Sequence, residues 1–169
     1  AALRFCQMAN SIRGCPERKH ILARSQGYHG STYLSSSVSG KERDKSSMDT
    51  EQDLVHFLSA PHLGGDLAGR SETEFCDFLI EELEATIADV GPENIMCMIA
   101  EPVLGSGGVI VPPADYNARC AAVVRSYGIL YIADEVVTGF GRLGHWFASE
   151  PVFGVVPDMS IFAKGVTSG

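Results

Sequence analysis

Three parts of the chain have the residue pattern of an α-helix. Residues 1–12 are rich in helix-favouring side chains. An S-x-x-E capping box at residues 71–74 precedes apolar residues spaced three and four apart, up to about Val90. Residues 115–127 carry a similar helical register and are followed by a glycine. We predict a helix in each part.

Short apolar runs predict the strands. The runs at 95–100, 129–133 and 159–163 are nearly continuous, which suits strands that are buried on both faces. A shorter run at 20–23 predicts another strand. Strand, helix and strand alternate along the second half of the chain, which is typical of a parallel sheet with crossover helices. The predicted fold class is therefore α/β.

The other segments lack a clear period. Residues 25–30 place Tyr28 and His29 between two glycines, which predicts a loop that can approach a ligand closely. Residues 35–52 are rich in Ser, Lys, Asp and Glu and are expected to form an exposed connection. Residues 53–70, which include Gly64-Gly65, are expected to be irregular.

A carboxylate and an amine stand at the ends of two predicted strands. Asp134 follows the run at 129–133, and Lys164 follows the run at 159–163. The carboxyl ends of parallel strands meet at one edge of a sheet, where α/β proteins bind ligands. A pyridoxal phosphate (PLP) enzyme needs a lysine for a Schiff base and an acid for the pyridinium nitrogen. This pair offers both.

Each candidate residue also has a purely structural explanation. Asp134 can instead cap the turn that follows it or pair with Arg142. Lys164 can pack its apolar stem while its amine reaches water. Tyr28 is either a surface aromatic in a turn or a flat ring able to stack on a cofactor. Spacing alone does not decide between these explanations.

Composition narrows the class of protein. The chain has 169 residues, 45% of them hydrophobic and 20% charged, which fits a soluble globular chain of about one domain. A net charge of −8 argues against nucleic acid as a partner. No apolar run approaches the roughly 20 residues that cross a bilayer. We expect small-molecule partners, no membrane, and a cytoplasmic location or an organelle matrix in a eukaryote.

The five cysteines are an odd number without close spacing, which argues against a disulfide framework and a zinc site. Buried, reduced thiols are expected, in agreement with a reducing compartment. The histidines show no metal-binding spacing, so no metal site is predicted.

Four motifs in order resemble the class III, or omega, aminotransferases of PLP fold type I. They are residues 27–30 (GYHG), 101–108 (EPVLGSGG), 133–142 (ADEVVTGFGR) and 162–165 (FAKG). The resemblance spans nearly the whole chain. It implies a three-layer αβα fold with a mostly parallel sheet, and a PLP-dependent transaminase.

The resemblance also implies roles for single residues. Lys164 resembles the lysine that holds PLP as a Schiff base and later moves the substrate Cα proton. Asp134 resembles the partner of the pyridinium nitrogen. Tyr28 and Val136 resemble the contacts on the two faces of the ring, and His29 belongs to the same loop as Tyr28.

Glu101 resembles a family acid near the cofactor, and two other positions narrow the subfamily. Ornithine and 4-aminobutyrate aminotransferases usually carry a glutamate where this chain has Ser106, and commonly a glutamine where it has Val137. These departures resemble omega-amino acid and amine:pyruvate transaminases instead. We therefore expect an amine, β-amino acid or omega-amino acid donor, with pyruvate or another keto acid as acceptor.

Family members are much longer than this chain. The resemblance identifies residues 1–169 as the central part of the PLP-binding large domain, truncated at both ends, without the phosphate-loop segment and the C-terminal small domain. The parent protein is expected to be a homodimer or dimer of dimers, and the fragment alone is expected to be inactive. The alternatives are another class III PLP reaction, by a decarboxylase or racemase, and a non-catalytic truncated remnant.

Overall fold

Among the described residues, five strands form one parallel sheet at the centre of the fold. The computed structural model describes residues 1–63 and 69–168. All four strand pairs are parallel, so every strand has its carboxyl end at the same edge. The strands are β1 His20–Arg24, β2 Val55–Leu58, β3 Ile95–Ala100, β4 Leu130–Asp134 and β5 Met159–Ile161. They lie in the sheet in the order β2-β1-β3-β4-β5.

In the part of the chain that the structure describes, five α-helices accompany the sheet, and a 3-10 helix, Lys164–Thr167, follows β5. The predicted capping box begins the helix Glu72–Val90 (α4), because the Ser71 hydroxyl accepts from Glu74 N and the Glu74 carboxylate accepts from Ser71 N. Gly91 ends this helix at φ +84°. The helices are α1 Ala2–Ile12, α2 Tyr33–Ser37, α3 Glu42–Lys45, α4 Glu72–Val90 and α5 Tyr116–Ser126.

Two hydrophobic clusters lie on opposite faces of the sheet. Successive side chains of a strand point to opposite faces, so Leu22 packs with α4 and α5 while Ile21 packs with α1. All six residues of β3 are buried, as its continuous apolar run predicted. The predicted three-layer αβα fold is confirmed, and the sheet is parallel throughout the described strands.

The predictions for residues 35–52 and 53–70 were wrong in part. The first segment contains α2 and α3, and Ser36 and Ser37 are buried rather than exposed. Their hydroxyls donate to Tyr33 O at 3.0 and 2.5 Å, which satisfies them inside the fold. The second segment contains β2, and Gly64-Gly65 lies outside the described residues.

The connection from β4 to β5 also differs from the prediction. It is a series of turns without an α-helix in its residues, 135–158, all of which the structure describes. Its glycines at positions 141, 144 and 154 have positive φ angles, a conformation that stops helix growth. The strand β5 ends at Ile161, and Lys164 begins the 3-10 helix beyond it.

Two further observations concern the described residues as a whole. None of their helices is long and apolar enough to pass through a membrane. All five cysteines are free, and four of them are buried.

Candidate active site

The Asp134 carboxylate lies at the carboxyl end of β4 and is only 4% exposed. Its Oδ2 lies 2.7 Å from His29 Nδ1, and the His29 side chain is 2% exposed. Its Oδ1 accepts a hydrogen bond from Val136 N at 3.1 Å. Asp134 therefore does cap the following turn, as one structural explanation held. No ion pair to Arg142 occurs in the described part of the chain.

Glu101 follows β3 and is 5% exposed. Its Oε1 accepts from Tyr28 N at 2.9 Å, and its Oε2 accepts from Gly105 N at 3.0 Å. One carboxylate thus ties together the two loops that follow β1 and β3. Burial raises the pKa of the Glu101 carboxyl, although the two backbone N–H groups and His29 oppose that shift.

Lys164 is exposed and opens the 3-10 helix with a φ of +49°. It lines a cavity of about 660 Å³ together with Val136. The backbone after it packs tightly, because a Cβ at Gly165 would lie 2.7 Å from Phe140 Cβ. Lys164 has no ion-pair partner among the described residues.

The structure brings the predicted residues together in two pairs. His29 contacts Asp134, and Lys164 shares a cavity with Val136. His29 lines a separate cavity of about 780 Å³. Tyr28 lines another cavity, the third, with a volume of about 320 Å³. The hydrogen bond from Val136 N to Asp134 links the two pairs. All five residues lie at the carboxyl edge of the sheet.

The profile of the family described as Aminotransferase class-III matches residues 1–169. The chain belongs to the class-III aminotransferases.

Known members of the family resemble this aminotransferase chain over nearly all of its length. Vanillin aminotransferase from Capsicum frutescens is 44% identical over 161 residues, which is 95% of this chain and 35% of that protein. A thermostable (S)-enantioselective omega-transaminase from Thermomicrobium roseum superposes with a TM-score of 0.94 at 42% identity, covering 99% of this chain and 37% of that one.

An omega-transaminase from Pseudomonas jessenii in complex with PMP superposes with a TM-score of 0.93 at 40% identity, covering 99% of this chain and 37% of that one. The family uses PLP as its cofactor. This class-III aminotransferase chain spans 35% of the length of the curated relative named above.

Ser106 and Val137, the two positions that were expected to narrow the subfamily, lie on facing loops. Val137 packs against Gly105, where an added Cβ would lie 2.8 Å from Val137 Cγ2. The Ser106 carbonyl accepts a hydrogen bond from Lys41 Nζ. Val137 and Lys41 therefore both contact the loop after β3.

Sequence reasoning missed Glu135, which is fully buried beside Asp134. Its carboxylate accepts four hydrogen bonds, from Thr138 Oγ1 at 2.5 Å, Ala148 N at 3.0 Å, Ser149 N at 2.7 Å and Ser149 Oγ at 2.5 Å. These donors lie at both ends of the segment 138–149, so Glu135 closes that segment into a loop. The sequence offered one sign of this role: Glu135 is an acid that comes directly after Asp134 and the apolar run at 129–133.

Arg24 was also missed. It ends β1 and is 1% exposed. Its guanidinium donates to Glu101 O at 3.1 Å and to Asn117 Oδ1 at 2.8 Å, and it lies 4.6 Å from the centre of the Tyr116 ring. The buried Arg24 guanidinium therefore fixes the backbone carbonyl of Glu101 through a hydrogen bond.

Proposed function

We propose that the protein containing this chain transfers an amino group from an amine, a β-amino acid or an omega-amino acid to pyruvate or another keto acid, with PLP as cofactor. The observation that carries the proposal is a buried carboxylate, Asp134, at the same sheet edge as an exposed amine, Lys164. The omega-transaminases that it resembles support the same reaction class.

The side chains at this edge fit PLP chemically. Asp134 is a buried carboxylate for the pyridinium nitrogen, and Lys164 is an amine for covalent attachment that has no ion-pair partner among the described residues. Tyr28 offers an aromatic ring that is 43% exposed, and Val136 offers an apolar surface. When bound, PLP supplies an electron sink for the electrons of the substrate Cα–H bond.

The residues of the chain have separate tasks in this proposal. Lys164 Nζ would take the proton from the substrate Cα and deliver it to the cofactor carbon C4′, not back to Cα. His29 holds the Asp134 carboxylate in place through its Nδ1, so the anion stays aimed at one position. Glu101 fixes the backbone of Tyr28, and Val136 helps to exclude water from one side.

Borohydride reduction tests the assignment of the lysine. In the longer protein that contains this chain, incubation with PLP followed by reduction should attach the label to Lys164, and Lys164→Ala should lose it together with alanine formation from pyruvate. Lys19→Ala, which removes an exposed lysine far from this edge, is the matched control and should keep both. Label on another residue, or turnover by Lys164→Ala, would refute the assignment. Only a transaminase makes alanine from pyruvate, so a decarboxylase or racemase would give none.

The setting of the chain is part of the proposal. Residues 1–169 act as the central part of a PLP-binding large domain, in a homodimer or dimer of dimers, and show little activity alone. The chain's 37% coverage of the solved omega-transaminases supports this division. The five free cysteines support a reducing compartment such as the cytoplasm or an organelle matrix.

A further inference from the structure

The loop after β3, residues 104–110, forms one wall of the cavity that Lys164 lines. Val109 belongs to this wall, and the cavity has a volume of about 660 Å³. The loop closes on itself, because Leu104 N donates to Ile110 O at 3.0 Å and Ile110 N donates to Leu104 O at 3.1 Å. The place of Val109 in the cavity wall therefore depends on the conformation of this short loop.

The backbone at Val109 is strained. Its φ is +55°, a conformation that a β-branched residue rarely adopts. Its side chain is 70% exposed, so packing of that side chain does little to offset the strain. A backbone conformation of this kind persists only when the surrounding structure holds it. The contacts that hold the loop from outside therefore decide where Val109 lies.

Lys41 holds the tip of the loop. Its Nζ donates to Ser106 O, and among the described residues this is the only side-chain hydrogen bond to residues 106–109. The Glu101 carboxylate, by contrast, holds the base of the loop through Gly105 N. Lys41 forms no ion pair in the part of the chain that the structure describes. Its amine therefore has the Ser106 carbonyl as its one polar partner there.

The backbone that carries Lys41 is itself fixed. Gly40 N donates to Gly27 O at 2.9 Å. A Cβ added at Gly40 would lie 2.5 Å from Arg24 O, so the backbone before the lysine packs directly on the end of β1. A side chain that starts from a fixed point loses less conformational entropy when its amine binds one carbonyl. The loop after β1 thus supports the hydrogen bond that reaches the loop after β3.

We propose that Lys41 is a positioning residue for amino transfer: its hydrogen bond to Ser106 O keeps Val109 in the wall of the Lys164 cavity. The inference rests on the proposed function, because it places the substrate in this cavity. Lys41 acts only through the loop and moves no proton. Without its hydrogen bond, the strained backbone at Val109 relaxes, the wall shifts, and a substrate in contact with that wall is bound less tightly.

Hydrogen exchange tests the contact without the cofactor. Val109 N donates to Gly105 O at 3.1 Å, so its amide reports the conformation of the loop. In the longer protein that contains this chain, Lys41→Met keeps an unbranched side chain and removes the donor. Exchange at Val109, measured by mass spectrometry on peptides that cover the loop, should become about 3- to 10-fold faster. Lys41→Arg keeps a donor and should restore most of the protection.

Lys19→Met is the matched control. It removes the same charge from an exposed lysine that precedes β1, at the opposite edge of the sheet, and should exchange at the loop as wild type does. Equal exchange at Val109 in wild type and Lys41→Met would overturn the inference. Exchange in Lys41→Arg that is as fast as in Lys41→Met would overturn it as well, because the hydrogen bond would then not be the cause.

Kinetics separate positioning from a purely structural role. With PLP present, Lys41→Met should raise the KM for the amino donor about 3- to 10-fold, change kcat less, and leave borohydride labelling of Lys164 intact. Lys41→Arg should bring the KM back towards the wild-type value. Faster exchange with an unchanged KM would show that Lys41 holds the loop without positioning the substrate, and would contradict the inference.

A failure of the proposed function gives a different result. A wild-type protein that forms no alanine from pyruvate and takes no label at Lys164 would refute amino transfer. Exchange at Val109 in the Lys41 variants would still decide whether this lysine holds the loop. Normal labelling and turnover, together with a wild-type KM in Lys41→Met, would contradict the role of Lys41 alone.

Discussion

At the scale of single residues, the site depends on buried carboxylates whose partners come from distant parts of the chain. Asp134 and its partner His29 are 105 residues apart, and Glu101 and Tyr28 are 73 residues apart. The sequence predicted that Asp134, Glu101 and Lys164 follow strands, because apolar runs mark strand ends. It could not predict which loop reaches which carboxylate, since no local pattern encodes contacts at that separation.

Glu101→Gln should change how stability depends on pH. Burial raises the pKa of Glu101, so the folded state binds its proton more tightly than the unfolded state. This carboxyl therefore lowers the free energy of unfolding as pH rises from about its ordinary value, 4.5, through its raised folded value. Glu101→Gln should lack this contribution to the pH dependence of the free energy of unfolding.

Urea unfolding of wild type and Glu101→Gln between pH 4 and 8 measures this effect. The glutamine leaves one backbone N–H facing its own amide N–H, at a cost of about 1–3 kcal/mol. The difference in stability between the two proteins should therefore be largest at low pH and shrink as pH rises. A difference that stays constant over the range would show that the Glu101 pKa is not raised.

At the scale of elements, local signals predicted some segments and failed for others. The capping box and terminal glycine define α4 without help from the rest of the fold. The edge strand β2 was missed, because it is only half buried and carries no continuous apolar run. The short helix α2 depends on buried serine hydroxyls and tertiary packing, which sequence period does not report. The helix α3 is a single turn without a buried residue, so it has no apolar pattern to find.

Glu135→Gln should loosen the loop between β4 and β5. The carboxylate accepts four hydrogen bonds there, and an amide would place N–H groups against some of those donors. We expect a loss of about 2–4 kcal/mol and faster hydrogen exchange at the Ala148 and Ser149 amides. Exchange measured by mass spectrometry, with urea unfolding, checks both effects.

Glu150→Gln is the matched control for that loop. It neutralises an exposed acid in the same segment whose side chain forms no hydrogen bond to the described residues. Its stability and exchange should match those of wild type. If both variants exchange at the wild-type rate, the carboxylate of Glu135 does not hold the loop.

At the scale of the whole molecule, the sheet and its two hydrophobic clusters behave as one core. The central strand β3 pairs with β1 on one side and β4 on the other, and its side chains enter both clusters. This architecture was predictable, because continuous apolar strands alternating with helices fit few folds other than a covered parallel sheet.

Met98→Ala tests how much the central strand β3 contributes to stability. Met98 is fully buried in the cluster beneath α4 and α5, so its truncation should lower the free energy of unfolding by about 2–5 kcal/mol. Met8→Ala makes the same change on α1, where Met8 is 59% exposed, and should cost far less. Urea unfolding of both variants gives the comparison; equal losses would contradict a core centred on β3.

At Lys164 the backbone conformation lowers stability, whereas the proposed function requires a lysine side chain there. A lysine at φ +49° lowers the free energy of unfolding by about 1–2 kcal/mol relative to a glycine at the same position. Selection for stability alone would therefore favour a glycine at this position, and the proposed role of the Lys164 amine would account for the lysine. A search for more stable variants should therefore select Lys164→Gly, a change that would remove the amine that the proposed function requires.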